Sequence, residues 1–152
     1  MASYYASNYH GNDLGGRKWN DGTFSRVKRI TMTANEKTLT SLKVHYGLDG
    51  HDTSVHGITF GGIQHGGVNA KVTEYDFESD EFLIKLTGYF GKYGEYSIVK
   101  SLTFETNLRK LEPVGPLDGT KFETDVNGKI VGFFGSASDG FIDSIGVYML
   151  LT

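Results

Sequence analysis

Apolar and polar residues alternate with a period of two along much of the chain, in Val27-Lys-Arg-Ile-Thr-Met32, Leu42-Lys-Val-His-Tyr46 and Phe82-Leu-Ile-Lys-Leu86. Three further runs cover residues 96–104, 129–134 and 141–150. A strand turns successive side chains to opposite faces, so this pattern sets one face on a core and leaves the other wet. Turn sequences punctuate the runs at Asn20-Asp-Gly22, Leu48-Asp-Gly50 and Asn127-Gly128. No stretch of about 12 residues keeps apolar positions at helical spacing. The pattern predicts an all-β chain of roughly ten to twelve short strands, folded as a sandwich, barrel or prism.

Glycines repeat on a longer scale. Pairs or near-pairs stand at Gly15-Gly16, Gly66-Gly67 and Gly115-Pro-Leu-Asp-Gly119, and the last glycines of the three lie 51 and 52 residues apart. That is close to one third of the chain, and each is followed by a turn into a strand. The spacing predicts three units, each a small four-stranded sheet.

The chain's 152 residues suit one domain over 1–152, and 38% hydrophobic content is enough for a packed core. Lys plus Arg number 15 against 18 Asp plus Glu, a net charge of −3, which argues against a protein held to nucleic acid or a membrane surface by bulk charge. Cysteine is absent, so disulfides, thiolate metal sites and a cysteine nucleophile are excluded. The first ten residues carry no basic segment leading into an apolar run, and no apolar stretch reaches the roughly 18 residues of a membrane span. The expectation is a soluble, non-secreted protein without membrane insertion.

Signatures of catalysis are missing. The chain has no phosphate-cradling glycine loop ending in Lys-Ser/Thr, no dinucleotide fingerprint and no His-Glu-x-x-His. Gly135-Ser-Ala-Ser-Asp-Gly140 has the wrong spacing for a nucleophile elbow. His10, His45, His51, His56 and His65 form no pair at i, i+2 or i, i+4, so no metal or cofactor is expected. In Glu74-Tyr-Asp-Phe-Glu-Ser-Asp-Glu81 the carboxylates at 74, 76, 78 and 80 alternate with Tyr75 and Phe77. Calcium would need those oxygens to converge on one ion, whereas a strand spreads them about 7 Å apart. The run reads as a solvated strand edge.

Two segments carry the functional signal: Gly11-Asn-Asp-Leu-Gly-Gly-Arg-Lys-Trp-Asn-Asp-Gly22 and Gly132-Phe-Phe-Gly-Ser-Ala-Ser-Asp-Gly-Phe-Ile-Asp-Ser-Ile-Gly-Val-Tyr148. Together with Phe60-Gly-Gly-Ile-Gln-His-Gly-Gly67, Ser101-Leu-Thr-Phe-Glu-Thr-Asn107 and Gly115-Pro, they resemble the jacalin-related lectins over essentially the whole chain. The resemblance implies a β-prism of three four-stranded antiparallel sheets with pseudo-threefold symmetry, and one sugar pocket where the N-terminal glycine loop meets the C-terminal loop. Within it, Gly16 would offer a backbone N–H to a sugar hydroxyl. Gly140 and Phe141 would offer N–H groups to the ring and O6 oxygens, and Asp143 would accept from the O4 and O6 hydroxyls.

The chemistry is sound on its own terms. A hydroxyl-rich ligand needs donors and acceptors already fixed in place, and one carboxylate can take two hydroxyl protons as charge-assisted bonds. The chain departs from the family's Gly-x-x-x-Asp, since Asp139 stands four places before Asp143 and glycine follows at Gly140. The loop from Gly135 to Asp143 therefore reads as one residue longer than usual. Asp139 either adds a second carboxylate at the rim or caps the turn. Trp19 reads as core.

One third and two thirds of the chain before Asp143-Ser-Ile stand Gly91-Lys-Tyr93 and Thr40-Ser-Leu42, neither with a carboxylate, which predicts one site per chain. An uncleaved segment before Gly16 resembles the mannose-binding, cytoplasmic branch of the family, whose members are mostly homo-oligomers. The expected partners are mannose- or glucose-containing glycans, with no nucleic acid. Two alternatives belong to other classes: a β-prism protein-interaction module without sugar binding, and a glycoside hydrolase using Asp143 with Asp21 or Asp139.

Overall fold

The computed structural model of the chain describes residues 3–12, 14–47, 62–67, 70–124 and 128–151. The 48–50 turn, His51, His56 and Asn127 lie outside the described residues. The described residues form twelve strands: β1 (Tyr4–Ala6), β2 (His10–Gly11), β3 (Arg17–Asn20), β4 (Arg26–Ala34), β5 (Leu39–Gly47), β6 (Ile63–Gly66), β7 (Lys71–Asp76), β8 (Leu83–Tyr93), β9 (Tyr96–Thr106), β10 (Thr120–Glu123), β11 (Gly128–Ser138) and β12 (Phe141–Leu151). The class is all-β, and the described residues include no helix.

Four strands, β8, β9, β11 and β12, run to 11 residues and exceed the short lengths expected. Their alternation is broken by glycines and small polar residues that pack rather than interrupt. Gly88, for example, leaves room for the Phe122 ring, which lies 2.4 Å from where a Cβ would sit.

All pairing is antiparallel. One sheet has the order β6-β5-β4-β7; the other has the order β10-β8-β9-β12-β11-β3, with β1 and β2 also paired to β12. Three separate four-stranded sheets are the sequence expectation; the described residues form two, one of four strands and one of eight in which the β8–β9 and β11–β12 hairpins are joined. The junction is a single register pair, Ile142 with Val99, between β12 and β9.

Three long hairpins, β4–β5, β8–β9 and β11–β12, repeat one another in detail. Each returning strand carries one extra residue opposite a register shift: Thr40 in β5, Lys100 in β9 and Asp143 in β12. A bulge of this kind turns an added side chain out of the ladder and bends the strand. A buried serine follows each one, Ser41, Ser101 and Ser144. Ser144 shares a hydrogen bond of 2.7 Å with Ser136 across its hairpin, and Ser41 is bonded to Thr33 in the same way. The residue opposite Ser101 is Tyr89, and the Ser101 hydroxyl has no hydrogen-bond partner among the described residues.

A glycine in the left-handed region presses on each bulge from the neighbouring outer segment. Gly11, Gly66 and Gly115 would place a Cβ 2.6, 2.3 and 2.1 Å from the carbonyl oxygens of Asp143, Thr40 and Lys100. A threefold repeat is therefore present in the hairpins, with Gly11 and not the Gly15-Gly16 pair as the glycine against the Asp143 carbonyl. Its third member is Lys100 and not the Gly91-Lys-Tyr93 segment, because the buried serines lie at unequal steps of 60 and 43 residues.

Beyond each bulge the strand resumes its inward alternation. Leu42, Val44 and Tyr46 of β5, Leu102 and Phe104 of β9, and Ile145, Val147 and Met149 of β12 are all at most 1% exposed. With Ile30, Met32, Leu86 and Phe133 they form one core shared by both sheets.

β7 lies at a sheet edge, and its Glu74 and Asp76 face solvent beside Arg29, as the acidic run predicts. Glu81, at the end of that run, does not: it is 2% exposed, and its carboxylate accepts from Arg109 Nε at 2.8 Å and Thr106 Oγ1 at 2.7 Å.

Candidate functional site

At one end of the molecule Gly11, Asn12 and the glycine loop of residues 14–16 lie across the β11–β12 hairpin. The hairpin closes on only two residues, Asp139 and Gly140, between the paired Ser138 and Phe141. The span from Gly135 to Asp143 is thus strand, tight turn and strand. Gly140 has φ +86°, a conformation L side chains rarely adopt, so glycine at 140 and not at 139 is what this turn requires. Asp139 is the exposed residue of the turn.

Two residues on, the bulge carries Asp143 beneath the glycine loop. A Cβ on Gly15 would lie 2.9 Å from one carboxylate oxygen of Asp143, and a Cβ on Gly16 would lie 2.5 Å from the other and 2.6 Å from the Ala137 carbonyl. Gly16 also has φ +68°. Only a chain without side chains at 15 and 16 can close over this carboxylate. The site's geometry therefore follows from two glycines and one misregistered residue.

Asp143 is 4% exposed and accepts a hydrogen bond from Ser138 Oγ at 2.7 Å. Burial pushes its carboxyl above the usual aspartate range, and the Ser138 bond partly offsets this. The backbone is pinned as well: Asn12 N–H donates to the Asp143 carbonyl at 2.9 Å, and Ser136 Oγ donates to the Asn12 carbonyl at 3.2 Å. Phe141 leaves the turn with its ring 5.1 Å from that of Tyr93, which brings the tip of the β8–β9 hairpin to the rim. Sequence reasoning missed Ser138, Asn12 and Tyr93. Asn12 and Ser138 lay within the two segments already singled out, and Tyr93 ended the Gly91-Lys-Tyr93 segment, but none of the three was assigned a role.

Gly16, Asp139, Gly140, Phe141 and Asp143 are therefore gathered at one end, with Gly16 and Asp143 in direct apposition. A cavity of about 520 Å³ adjoins them, reaching from Gly16, Ser138 and Asp139 to Trp19, Gln64 and His65. Trp19 is partly buried against the core and stacks on His65 with ring centroids 3.6 Å apart. Asp21 lies behind this stack with a side chain 2% exposed, and both its oxygens are engaged, one by Tyr46 Oη at 2.6 Å and one by His65 Nε2 at 3.0 Å. Burial, reinforced by the Asp21 charge, raises the Tyr46 hydroxyl far above the ordinary tyrosine range, so Tyr46 is the donor in that bond. No three acidic or histidine side chains among the described residues are placed to hold a metal ion.

What the arrangement offers chemically is a fixed carboxylate acceptor beside closely approachable backbone. Such a site suits a ligand that presents adjacent hydroxyls.

A sequence model described as the jacalin-like lectin domain matches residues 7–148. Jacalin-related lectin 3 of Arabidopsis thaliana is 35% identical over 139 residues, covering 89% of this chain and 22% of its own. A galactose-specific lectin of Morus indica is 33% identical over 145 residues, covering 90% of this chain and 85% of its own. The solved mannose-binding lectin from champedak superimposes with a TM-score of 0.84 at 33% identity, covering 99% of this chain and 100% of that one. The chain spans between 22% and 43% of the length of the first five relatives it matches.

Proposed function

The chain belongs to the jacalin-like lectin family, and from that premise we propose that it binds mannose- and glucose-containing glycans, without catalysis and without metal, through one such site per chain. The observation that carries this reading is the buried Asp143 carboxylate held against Gly15 and Gly16. In it Asp143 accepts the O4 and O6 hydroxyls, while Gly16, Gly140 and Phe141 donate backbone N–H groups. The two bulged hairpins without a carboxylate, at Thr40 and Lys100, support a single site of this type. The fold is read as a β-prism in which each bulged hairpin with its outer strands makes one face, the single β9–β12 pair being the seam between two faces.

Specificity rests on O4. Mannose and glucose carry it equatorially and galactose axially, so a carboxylate that holds O4 and O6 together favours the first two. β1 and β2 lead into the glycine loop while paired to β12, which supports an uncleaved arrangement in which Gly16 is not a free amine. Methyl α-mannoside is expected to compete at least about tenfold better than methyl α-galactoside, a gap of roughly 1.4 kcal/mol or about one hydrogen bond. Calorimetry on the intact chain tests this, and equal competition by the two sugars defeats the assignment of mannose-type specificity.

Acid should weaken binding early. Protonation turns one carboxylate oxygen into a donor and removes the charge that strengthens both hydroxyl bonds, and burial raises the Asp143 carboxyl. Affinity is therefore expected to fall on acidification at a pH above the value of about 3.9 where an ordinary aspartate protonates. A mannoside titration that stays flat through that range removes Asp143 from the site.

The glycoside hydrolase alternative loses one candidate partner for Asp143, because both Asp21 oxygens are occupied inside the fold. The proposal extends to a cytoplasmic location, which the absence of cysteine suits. It extends also to a homo-oligomer, since one site per chain gains avidity only through assembly.

A further inference from the structure

The β8–β9 hairpin repeats the design of the Asp143 site with its charges exchanged. Its bulge residue is Lys100, 8% exposed, where β12 has a carboxylate. The loop of residues 115–119 passes over it as Gly11, Gly15 and Gly16 lie over Asp143, with Gly115 against the Lys100 carbonyl. Here the loop supplies the acid. Lys100 Nζ donates to Asp118 Oδ2 at 2.6 Å and to the Lys92 carbonyl at 3.1 Å. Lys100 is thus fixed by the fold, while the side chain of Asp118 is 68% exposed and keeps oxygen lone pairs open to solvent.

A cavity of about 480 Å³ opens at this point, lined by Glu36, Lys37, Lys92, Tyr93, Lys100 and Asp118. Lys100 and Asp118 neutralise one another. Lys37 and Lys92 remain, exposed and with no carboxylate partner for either ammonium among the described residues, against the single Glu36. A neutral sugar would leave those two ammoniums unused, and a bare anion would meet the Asp118 carboxylate with nothing to donate to it. A ligand that brings both hydroxyl donors and a negative group satisfies every charged residue of the cavity except Glu36.

From this complementarity we infer that the Lys100 end of the β8–β9 hairpin is a second saccharide site, selective for an acidic sugar of the uronate type. Sugar hydroxyls donate to the open Asp118 oxygen, and the uronate lies between the Lys37 and Lys92 ammoniums. The Tyr93 ring forms one wall. The site uses none of the backbone donors or the carboxylate of the mannoside site, and it stands whether or not that reading is correct.

The test is amide chemical-shift mapping on the intact, isotope-labelled chain, first saturated with methyl α-mannoside and then titrated with methyl α-glucuronoside. Shifts are expected at Lys92, Gly94, Asp118 and Gly119, with a dissociation constant on the order of 1 mM as is usual for weak ligands. Lys37→Ala combined with Lys92→Ala is expected to weaken glucuronoside at least about tenfold, or 1.4 kcal/mol, with mannoside affinity unchanged. Asp143→Ala is expected to leave glucuronoside binding intact, which separates failure of this site from failure of the other. Inorganic sulfate and acetate serve as bare-anion controls. Three results overturn the inference: no shifts at these residues, glucuronoside shifts confined to the Gly140–Asp143 region, or sulfate binding as tightly as glucuronoside.

Discussion

Replacing Asp143 with alanine is expected to abolish mannoside binding and to leave the fold intact. The carboxylate would accept two sugar hydroxyls, and losing two charge-assisted hydrogen bonds costs roughly 3 kcal/mol, or over a hundredfold in affinity. The backbone around it is secured without the side chain, through Asn12 N–H on the Asp143 carbonyl and the Ser136–Ser144 bond. Removing a buried charge whose carboxyl is already raised by desolvation also relieves an unfavourable burial. Thermal unfolding of the variant should therefore stay close to the parent while calorimetry with methyl α-mannoside shows no heat. An unchanged titration would remove Asp143 from the site, and a collapsed fold would make it a structural residue.

The second large effect is expected away from the site. Arg109→Ala would strand the Glu81 carboxylate, whose side chain is 1% exposed while the arginine is 46% exposed. Breaking a fully buried pair costs about 3–5 kcal/mol, and the half-exposed arginine brings the loss below that range, to about 2–3 kcal/mol in urea unfolding at neutral pH. Burial pushes the Glu81 carboxyl up, but hydrogen bonds from Arg109, Thr106 and the Glu78 amide outweigh it and hold the group below the usual glutamate range. A depressed acid stabilises above its unfolded value of about 4.3 and loses that contribution as pH falls through the folded one. The gap between parent and variant should accordingly be widest at neutral pH and narrow in acid. A gap that is constant with pH would show that Arg109 acts through packing alone.

Much of the architecture was legible because burial writes itself as a period of two. β4, β5, β9 and β12 were each visible in this way, and the glycine-rich segments marked the loop and the turn that meet at the site. What escaped was the bulge. In Leu39-Thr-Ser-Leu42, Val99-Lys-Ser-Leu102 and Ile142-Asp-Ser-Ile145 the inward residues stand three apart instead of two, and a serine follows the misregistered one each time. An even step of one third of the chain found Thr40 and missed Lys100, because the connections between hairpins differ in length. The Asn20-Asp-Gly22 sequence was legible only as a turn. That Asp21 would sit buried between Tyr46 and His65 depends on strands 25 and 44 residues away, which no local pattern encodes.

The apposition of Gly16 with Asp143 joins residues 127 positions apart, near opposite ends of the chain. Among the described residues β1, β2 and β3 pair in the sheet only with β11 and β12, so these strands dock only once the β11–β12 hairpin exists. The hairpins close over short separations, whereas this docking closes almost the whole polypeptide and carries the largest loop entropy. On a ribosome, ligand competence would arrive only after β12 has emerged, however early β1 to β3 are made. Ligand bound across that junction holds the two ends together, so mannoside should slow hydrogen exchange in β1 to β3 more than in β4 to β7. Equal slowing in both regions would mean that the ends part only when the whole domain unfolds.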